Sequence, residues 1–399
     1  MTDRVLASLA QFFRIEAVSG IVLIAAALLA LLWANSPAAA AYDALWHASI
    51  TLGFGGFSAS PSLHFLVNEG LMTIFFLVAG LEIRRELHEG ALSNVRLAAL
   101  PLVAALGGVL APALIYLGLN WHGDARQGWA VPIATDIAFA VGVLALLGRG
   151  IPAGVRVLLL AVAIIDDIVA VVVIALFYSH DLRPDGAVIG AVAIGLVLLL
   201  QRLGWRTAWV YVAPGALLWF GLLRLGVHPT LAGVVLGLLT PVVPLAARAD
   251  DGAGQRAAVP PVVALEAALH PWVAYGIMPL FALANAGVAL AGADLATVLA
   301  APVTQGIAFG LLLGKPIGIL LASAIVIRLG WCALPDDVGW RGLTLVALLA
   351  GIGFTMAIFI ATLAFPEGAA LASAKLAILM ASGLAAALAL AYGKLSFRR

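Results

Sequence analysis

Long apolar runs recur along most of the chain, and none of them alternates between apolar and polar positions. A helix needs about 20 predominantly apolar residues to cross a bilayer, whereas membrane β-strands show short alternating segments. The pattern therefore predicts an all-α polytopic membrane protein with about twelve transmembrane helices. The predicted segments are 15–34, 63–84, 97–119, 128–147, 156–178, 186–201, 207–223, 228–244, 262–290, 302–327, 341–364 and 371–393.

Composition supports a membrane protein. Of 399 residues, 64% are hydrophobic and 10% are charged, whereas soluble domains are about 45–50% apolar and about 25% charged. This composition excludes soluble enzymes, nucleic-acid-binding proteins and disordered chains. The net charge of +1 gives no field that would attract nucleic acid, and the single Cys332 forms neither an intrachain disulfide nor a metal cage. We expect no enzymatic activity and no cofactor.

The distribution of lysine and arginine predicts the orientation. Twelve spans place both termini on one side, and most of the cations fall in the loops of that side. The opposite loops hold only Arg126, Arg183 and Arg224, while Lys315 and Lys375 lie inside predicted spans. Cytoplasmic loops carry the excess of positive charge, so both termini are predicted to be cytoplasmic.

Two loops have unusual compositions. The segment 45–60, on the outer side, has two short extended runs around Gly55-Gly56, which is typical of a β-hairpin. An ordinary loop is the alternative. The polar stretch 245–258 is rich in Ala, Asp and Gly and predicts a cytoplasmic linker between two groups of helices.

Four charged side chains lie inside predicted spans. Asp166, Asp167 and Lys315 are close to the middle of long apolar runs, and Asp136 is central in the fourth span. Such charges are costly in a bilayer and usually mark an ion or proton pathway. A purely structural pair with Lys315 would explain one aspartate but not three. Successive helical residues point about 100° apart, so one aspartate can face the lysine while its neighbour faces a water-filled path.

Two spans carry helix breakers at similar depth. Pro132 precedes Asp136 in the fourth, and Gly351 and Gly353 lie in the eleventh. Proline and glycine are common in membrane helices, but a pair of interrupted helices in matching positions indicates the binding site of a secondary transporter. The spans within 97–178 and within 302–393 each have the interrupted helix in the middle, which predicts two repeats of inverted topology.

The chemistry of these residues favours ion exchange. Buried carboxylates take up protons more readily, and their ionised oxygens suit a hard cation. A proton and a cation therefore compete for one site, and the competition couples their movements. The chain has no phosphate-binding P-loop motif, so no nucleotide drive is implied. Two carboxylates against one positive lysine allow more than one proton per cation, which makes the cycle sensitive to membrane potential.

Several motifs resemble one family over essentially the whole chain. They are Ala134-Thr-Asp-Ile-Ala-Phe-Ala, Ala163-Ile-Ile-Asp-Asp, Gly226-Val-His-Pro-Thr-Leu-Ala-Gly, Leu269-His-Pro-Trp-Val-Ala-Tyr, Gly314-Lys-Pro and Gly351-Ile-Gly-Phe-Thr-Met. Together they closely resemble the bacterial NhaA-type sodium/proton antiporters. The resemblance implies electrogenic exchange of Na⁺ or Li⁺ for H⁺ across the bacterial inner membrane by a single transporter domain over 1–399. It also implies a homodimer in contact through the hairpin.

The resemblance assigns roles to the buried residues. Asp166 and Asp167 form the ion and proton site, with Asp167 favoured as the principal cation ligand. Lys315 supplies the opposite charge, and Asp166 is favoured as the aspartate that pairs with it. Thr135 and Asp136 line the crossing of the interrupted helices.

The resemblance also implies activation at alkaline pH through a cytoplasmic cluster. The candidate residues are Glu82, Arg85, Glu86, Glu266, His228 and His270. An ordinary solvated helix end is the alternative for the cluster, and a structural cap beside Pro229 is the alternative for His228. Two positions depart from the family: Ala267 replaces a histidine and Glu69 replaces an aspartate, which puts the pH set-point in question.

Three other classes share some of these features. A channel would show filter-like repeats, which the sequence lacks. An intramembrane aspartyl protease could use Asp136 and Asp167 as a dyad, but it would not need Lys315. A sodium-coupled symporter would need more polar residues near the midplane.

Overall fold

The structure, a computed structural model, describes residues 2–54, 57–88, 90, 93, 95–179, 182–205, 207–242, 260–289 and 295–397. The side chains of 2–17, 52–59, 95–97, 149 and 295 are outside this description. The predicted linker 245–258 and the Gly55-Gly56 turn also lie outside the described residues.

Helices make up most of the described chain. They are α1 Thr2–Ala34, α2 Ala39–His47, α3 Leu63–His88, α4 Val95–Leu119, α5 Ile137–Leu146, α6 Ala153–Phe177, α7 Pro184–Arg202, α8 Val212–Leu225, α9 Leu231–Leu239, α10 Pro261–Asn285, α11 Leu295–Ala300, α12 Pro302–Arg328, α13 Trp340–Ala350, α14 Phe354–Ala364 and α15 Ala369–Ser396. Short 3-10 helices cover Asp124–Ile133, Gly148–Gly150 and Ala208–Tyr211, and π-helical turns lie at Leu66–Leu71, Val273–Ile277 and Gly310–Gly314. The strands are β1 Leu52–Phe54 and β2 Phe57–Ala59.

The described helices make this a multi-pass membrane protein. Eight are long and apolar enough to cross a bilayer, and there are up to eleven spans if each of three bent pairs is one span. The predicted span 228–244 falls short, because α9 has 9 residues and is only about 14 Å long. Thr240 is extended before Pro241, since proline disfavours helical backbone in the residue before it.

The predicted hairpin segment 45–60 contains both helix and strand. β1 and β2 pair antiparallel, with Leu52 opposite Ala59. Residues 45–47 instead end α2, a helix that the sequence analysis did not predict. Four consecutive alanines, 38–41, favour this helix because alanine has the highest helix propensity. Tyr42 and Trp46, one turn apart, form its buried face.

The described residues form two compact units. The first comprises the described residues within 1–64, 94–170 and 278–399, and the second comprises those within 65–93 and 171–277. In the first unit the backbones of α4 and α12 approach closely at Gly107 and Gly318, where a Cβ on either glycine would collide with the carbonyl of the other. Most of α14 is buried, as expected for a helix that is apolar all round. In the second unit α3 and α9 also pack closely, since a Cβ at Gly80 would lie 2.7 Å from the carbonyl oxygen of Val234 and one at Gly237 would lie 2.6 Å from the carbonyl carbon of Gly80.

Candidate functional site

Two interrupted helices lie in the first unit. The first interrupted helix is the 3-10 helix Asp124–Ile133 followed by α5, with a bend of 44°. The second interrupted helix is α13 followed by α14, with a bend of 42°. Pro132 lies at the end of the 3-10 segment, and Gly351 and Gly353 lie in the break between α13 and α14. A Cβ at Gly351 would come 2.7 Å from the carbonyl oxygen of Leu311, so this break needs glycine for close packing.

The two breaks cross backbone to backbone. The amide of Asp136 donates to the carbonyl of Ile352 at 2.7 Å. The hydroxyl of Thr135 lies 3.0 Å from the carbonyl oxygen of Ala350, the last residue of α13. An interrupted helix leaves backbone groups without intrahelical partners, and here each break supplies partners for the other.

Asp136 joins the beginnings of two helices. Its Oδ1 accepts from the amide of Phe139 at 2.9 Å and so caps α5. Its Oδ2 accepts from the amide of Thr355 at 3.0 Å and also from the Thr355 hydroxyl. A carboxylate is favourable at a helix N-terminus because the helix dipole is positive there. The structure thus shows a capping role for Asp136 that the sequence analysis did not assign, and its part in ion binding stays a prediction.

Lys315 pairs with Asp166 in the interior of the first unit. Its Nζ lies 2.9 Å from Oδ2 of Asp166, and neither side chain is exposed. The same ammonium donates to the carbonyl of Ile133 at 2.5 Å, where the 3-10 helix ends. The predicted pairing of these two residues is therefore present, and the lysine also compensates the negative end of the first half-helix.

The two adjacent aspartates have different surroundings. Oδ2 of Asp166 contacts both Lys315 and the hydroxyl of Thr135, the latter at 2.7 Å. Its Oδ1 is buried and has no hydrogen-bond partner within the described part of the chain. Asp167 is 7% exposed, and its charge acts electrostatically on Lys315. One carboxylate is thus held by a lysine and a threonine, while its neighbour is directed about 100° away around the helix.

The two adjacent aspartates offer too few oxygens to coordinate a cation by themselves. Among the described residues, no group of three or more His, Cys, Asp or Glu side chains could hold a metal ion. A small hard cation takes six or more oxygen ligands when fully coordinated. A cation at Asp166 or Asp167 would therefore depend on hydroxyl, carbonyl or water oxygens as well.

Two further residues support the crossing. Thr355 donates to Asp136 as described above, and the hydroxyl of Ser382 accepts from the amide of Phe354 at 3.0 Å. Thr355 belongs to one of the motifs quoted above but had no predicted role, and Ser382 was not among the predicted site residues. The position of Thr355 in the first turn after a predicted break was the available signal for its contact. Ser382 lies within an apolar span and carried no comparable signal.

The second unit brings together several of the predicted pH-sensing residues. Nη1 of Arg85 lies 2.5 Å from Oε1 of Glu266, and Nη2 lies 3.4 Å from Oε1 of Glu86. Glu266 is buried, and its Oε2 has no hydrogen-bond partner among the residues described. Glu82 acts electrostatically on Arg85, and His270 acts on Glu266. We name these five residues the Arg85 cluster.

His228 lies beside an acid that the sequence analysis noted only as a departure from the family. Its Nδ1 is 4.0 Å from Oε1 of Glu69, which lies in the π-helical turn of α3. The carbonyl of His228 accepts from the amide of Leu231, the first residue of α9, at 3.1 Å. The backbone of His228 thus takes part in the start of this helix.

Comparison with known proteins identifies close relatives. The family model described as Na+/H+ antiporter 1 matches residues 10–392. The Na(+)/H(+) antiporter NhaA of Janthinobacterium sp. (strain Marseille) is 56% identical, with alignment over 100% of this chain and 95% of the relative. The protein of the same name from Acidovorax sp. (strain JS42) is 58% identical over 98% of this chain and 93% of the relative. The Na(+)/H(+) antiporter NhaA of Cupriavidus necator is 55% identical over 98% of this chain and 91% of the relative.

Proposed function

Because this chain belongs to the Na+/H+ antiporter 1 family, we propose that it exchanges Na⁺ for H⁺, with both ions competing for Asp166 and Asp167. The observation that carries the proposal is the sharing of Oδ2 of Asp166 between Lys315 and Thr135, in the buried crossing of two interrupted helices. Protonation and cation binding each neutralise the same carboxylate charge. Binding of one ion therefore releases the other.

Each buried group has a distinct role in the proposed cycle. Asp167 is the principal cation ligand, and Asp166 binds a proton or contributes a second carboxylate oxygen. Lys315 is the partner charge that holds Asp166 when no cation is bound. Thr135 and Asp136 keep the two breaks crossed beside the site. Because two carboxylates lie near a single lysine and only Asp166 is paired with it, more than one proton can leave for each entering Na⁺ or Li⁺, which makes the exchange electrogenic.

We place the protein in the bacterial inner membrane, surrounded by lipid and with both termini in the cytoplasm. The distribution of lysine and arginine supports this orientation. The proposal includes two inverted repeats, 97–178 and 302–393, and a homodimer in contact through the 45–60 hairpin. The edges of β1 and β2 support the dimer, since a two-stranded sheet has unpaired backbone groups that suit pairing with a second copy.

We propose that the Arg85 cluster regulates transport in response to pH, together with His228. The 2.5 Å contact between Arg85 and buried Glu266 supports this, because protonation of Glu266 removes the charge that holds the arginine. Glu266→Gln is expected to flatten the dependence of transport on pH while retaining exchange. Asp185→Asn, an exposed surface acid, is the matched control. An unchanged pH profile in Glu266→Gln would remove this residue from regulation.

Na⁺-induced collapse of a preformed pH gradient in everted vesicles tests the exchange itself. The wild-type protein is expected to collapse the gradient, and Asp167→Asn is expected not to. Asp336→Asn, an exposed acid in the loop before α13, should behave as wild type. Absence of a Na⁺ response from inserted, folded wild-type protein would overturn the proposed function. Wild-type activity in Asp167→Asn would keep the exchange but remove Asp167 from it.

A further inference from the structure

The loop before α13 contacts the beginning of α6. Oδ2 of Asp337 accepts a hydrogen bond of 2.7 Å from the amide of Gly154, the second residue of α6. The first four amides of a helix have no intrahelical acceptor. Close packing continues beside this contact, because a Cβ at Gly342 in α13 would lie 2.8 Å from Cγ2 of Val155. Asp337 therefore caps α6 from a distant part of the chain.

The same two helices are connected a second time at the ion site. The carbonyl of Ala350, at the end of α13, lies 3.0 Å from the hydroxyl of Thr135, and that hydroxyl lies 2.7 Å from Oδ2 of Asp166 in α6. From Gly154 to Asp166 the helix rises about 18 Å, and α13 rises about 15 Å. The part of α6 from Gly154 to Asp166 and the whole of α13 thus have similar lengths. Both extend from the Asp337 contact to the ion site, and they are connected at both ends.

We propose that Asp337 is a positioning residue for the cation site: it holds the start of α6 against the start of α13 and thereby fixes Asp166 and Asp167 relative to the second interrupted helix. The proposal rests on the proposed Na⁺/H⁺ exchange. A helix transmits a shift at one end to the other because its hydrogen-bonded backbone is stiff. A carboxylate is also a favourable acceptor for helix N-terminal amides, being negatively charged.

The test is transport by full-length Asp337→Ala in everted vesicles, with Na⁺ varied to separate the apparent KM from the maximal rate. Loss of one hydrogen bond predicts an apparent KM for Na⁺ raised about threefold to tenfold, with the maximal rate largely retained. Asp337→Asn keeps an oxygen acceptor and should restore the wild-type KM. Asp336→Ala, at the neighbouring position and likewise exposed, is the control and should leave KM unchanged.

Gly154→Ala tests the same contact from the other helix. A Cβ at Gly154 would collide with the carboxylate of Asp337 and lie 2.7 Å from Cγ2 of Val338, so it should displace the loop and raise KM in the same way. The double variant with Asp337→Ala should be no worse than the single variants, because both remove one contact. If Asp337→Ala is not recovered folded, Gly154→Ala decides the question.

Three results would overturn the proposal. If the wild type is active and the KM for Na⁺ is unchanged in Asp337→Ala or in Gly154→Ala, this inference alone is overturned. An equal rise of KM in Asp337→Asn and Asp337→Ala would exclude the hydrogen bond as the cause. A folded wild-type protein without any Na⁺ response overturns the proposed function and this inference with it.

Discussion

Lys315 and Asp166 form a 2.9 Å ion pair between two fully buried side chains. Charges in such surroundings are tolerated when they are paired and hydrogen-bonded. Here the lysine also donates to Ile133, and Oδ2 of the aspartate also contacts Thr135, whereas its Oδ1 has no partner within the described part of the chain. The pair therefore connects α12 to α6 and to the first interrupted helix, so that stability and ion binding depend on the same contacts.

Removal of the lysine charge should destabilise the protein strongly. Lys315→Met leaves Asp166 buried without its partner charge, which is expected to cost about 3–5 kcal/mol. Thermal unfolding of the purified protein in detergent measures this loss. Lys315→Met combined with Asp166→Asn should recover much of it, because no uncompensated charge remains. Lys394→Met, exposed near the end of α15, serves as the control, and equal melting temperatures for the two lysine variants would contradict the prediction.

The hydroxyl of Thr135 should matter more than its methyl group. Thr135→Val keeps the shape but leaves Oδ2 of Asp166 and the carbonyl of Ala350 with one partner fewer, at a cost of about 1–3 kcal/mol. We expect a higher apparent KM for Na⁺ in vesicle transport. Thr135→Ser retains the hydroxyl and should remain close to wild type. If valine and serine variants transport equally well, the hydroxyl has no part in holding the site.

Asp136 should contribute to stability as a double cap. Asp136→Ala removes the acceptor for the first turns of both α5 and α14, and each cap is worth about 0.5–2 kcal/mol. A lowered melting temperature is therefore expected, measured in detergent against Asp124→Ala. Asp124 is exposed at the start of the 3-10 segment and should tolerate the change. A melting temperature of Asp136→Ala as high as that of the control would exclude the capping role.

Gly351 should reject a larger side chain for steric reasons. Its φ of −66° suits any residue, but the added Cβ of alanine would lie 2.7 Å from the carbonyl oxygen of Leu311. Overpacking of this kind costs about 1–3 kcal/mol, so Gly351→Ala should lower the melting temperature and the transport rate. Gly383→Ala in α15 meets open space and should be neutral or stabilising. Equal melting temperatures and transport rates for the two variants would show that the backbone around Gly351 can shift to accommodate the added Cβ.

The predicted helices differ from the structure where the apolar pattern and the preferences of individual residues disagree. The run 228–244 is apolar, yet α9 ends at Leu239 because the Thr240-Pro241 sequence favours extended backbone. In contrast, α2 was missed because a short alanine-rich stretch lacks the length of a span. Hydropathy identifies apolar segments, whereas helix ends depend on individual residues and their partners.

The site residues were predictable as a set, and so was the pairing of Lys315 with Asp166, but their other contacts were not. Asp136, Asp166, Asp167 and Lys315 stand out because charges are rare in apolar runs. Spacing along the chain could not show that Asp136 caps α14, since its partner Thr355 is 219 residues away. Nor could it identify the carbonyl of Ile133 as an acceptor for the lysine.

The sequence by itself determined the membrane class, the apolar segments, the charged residues that lie within them and the positions of the two breaks, because each depends on composition and local backbone preference. Tertiary structure alone decided that Lys315 also meets the carbonyl of Ile133, that Asp136 caps both α5 and α14, and where the loop of Asp337 is attached. Apart from the local cap on α5, these contacts join residues 182, 183 and 219 positions apart. They depend on how each helix is rotated and packed against the others, which hydrophobic periodicity does not specify.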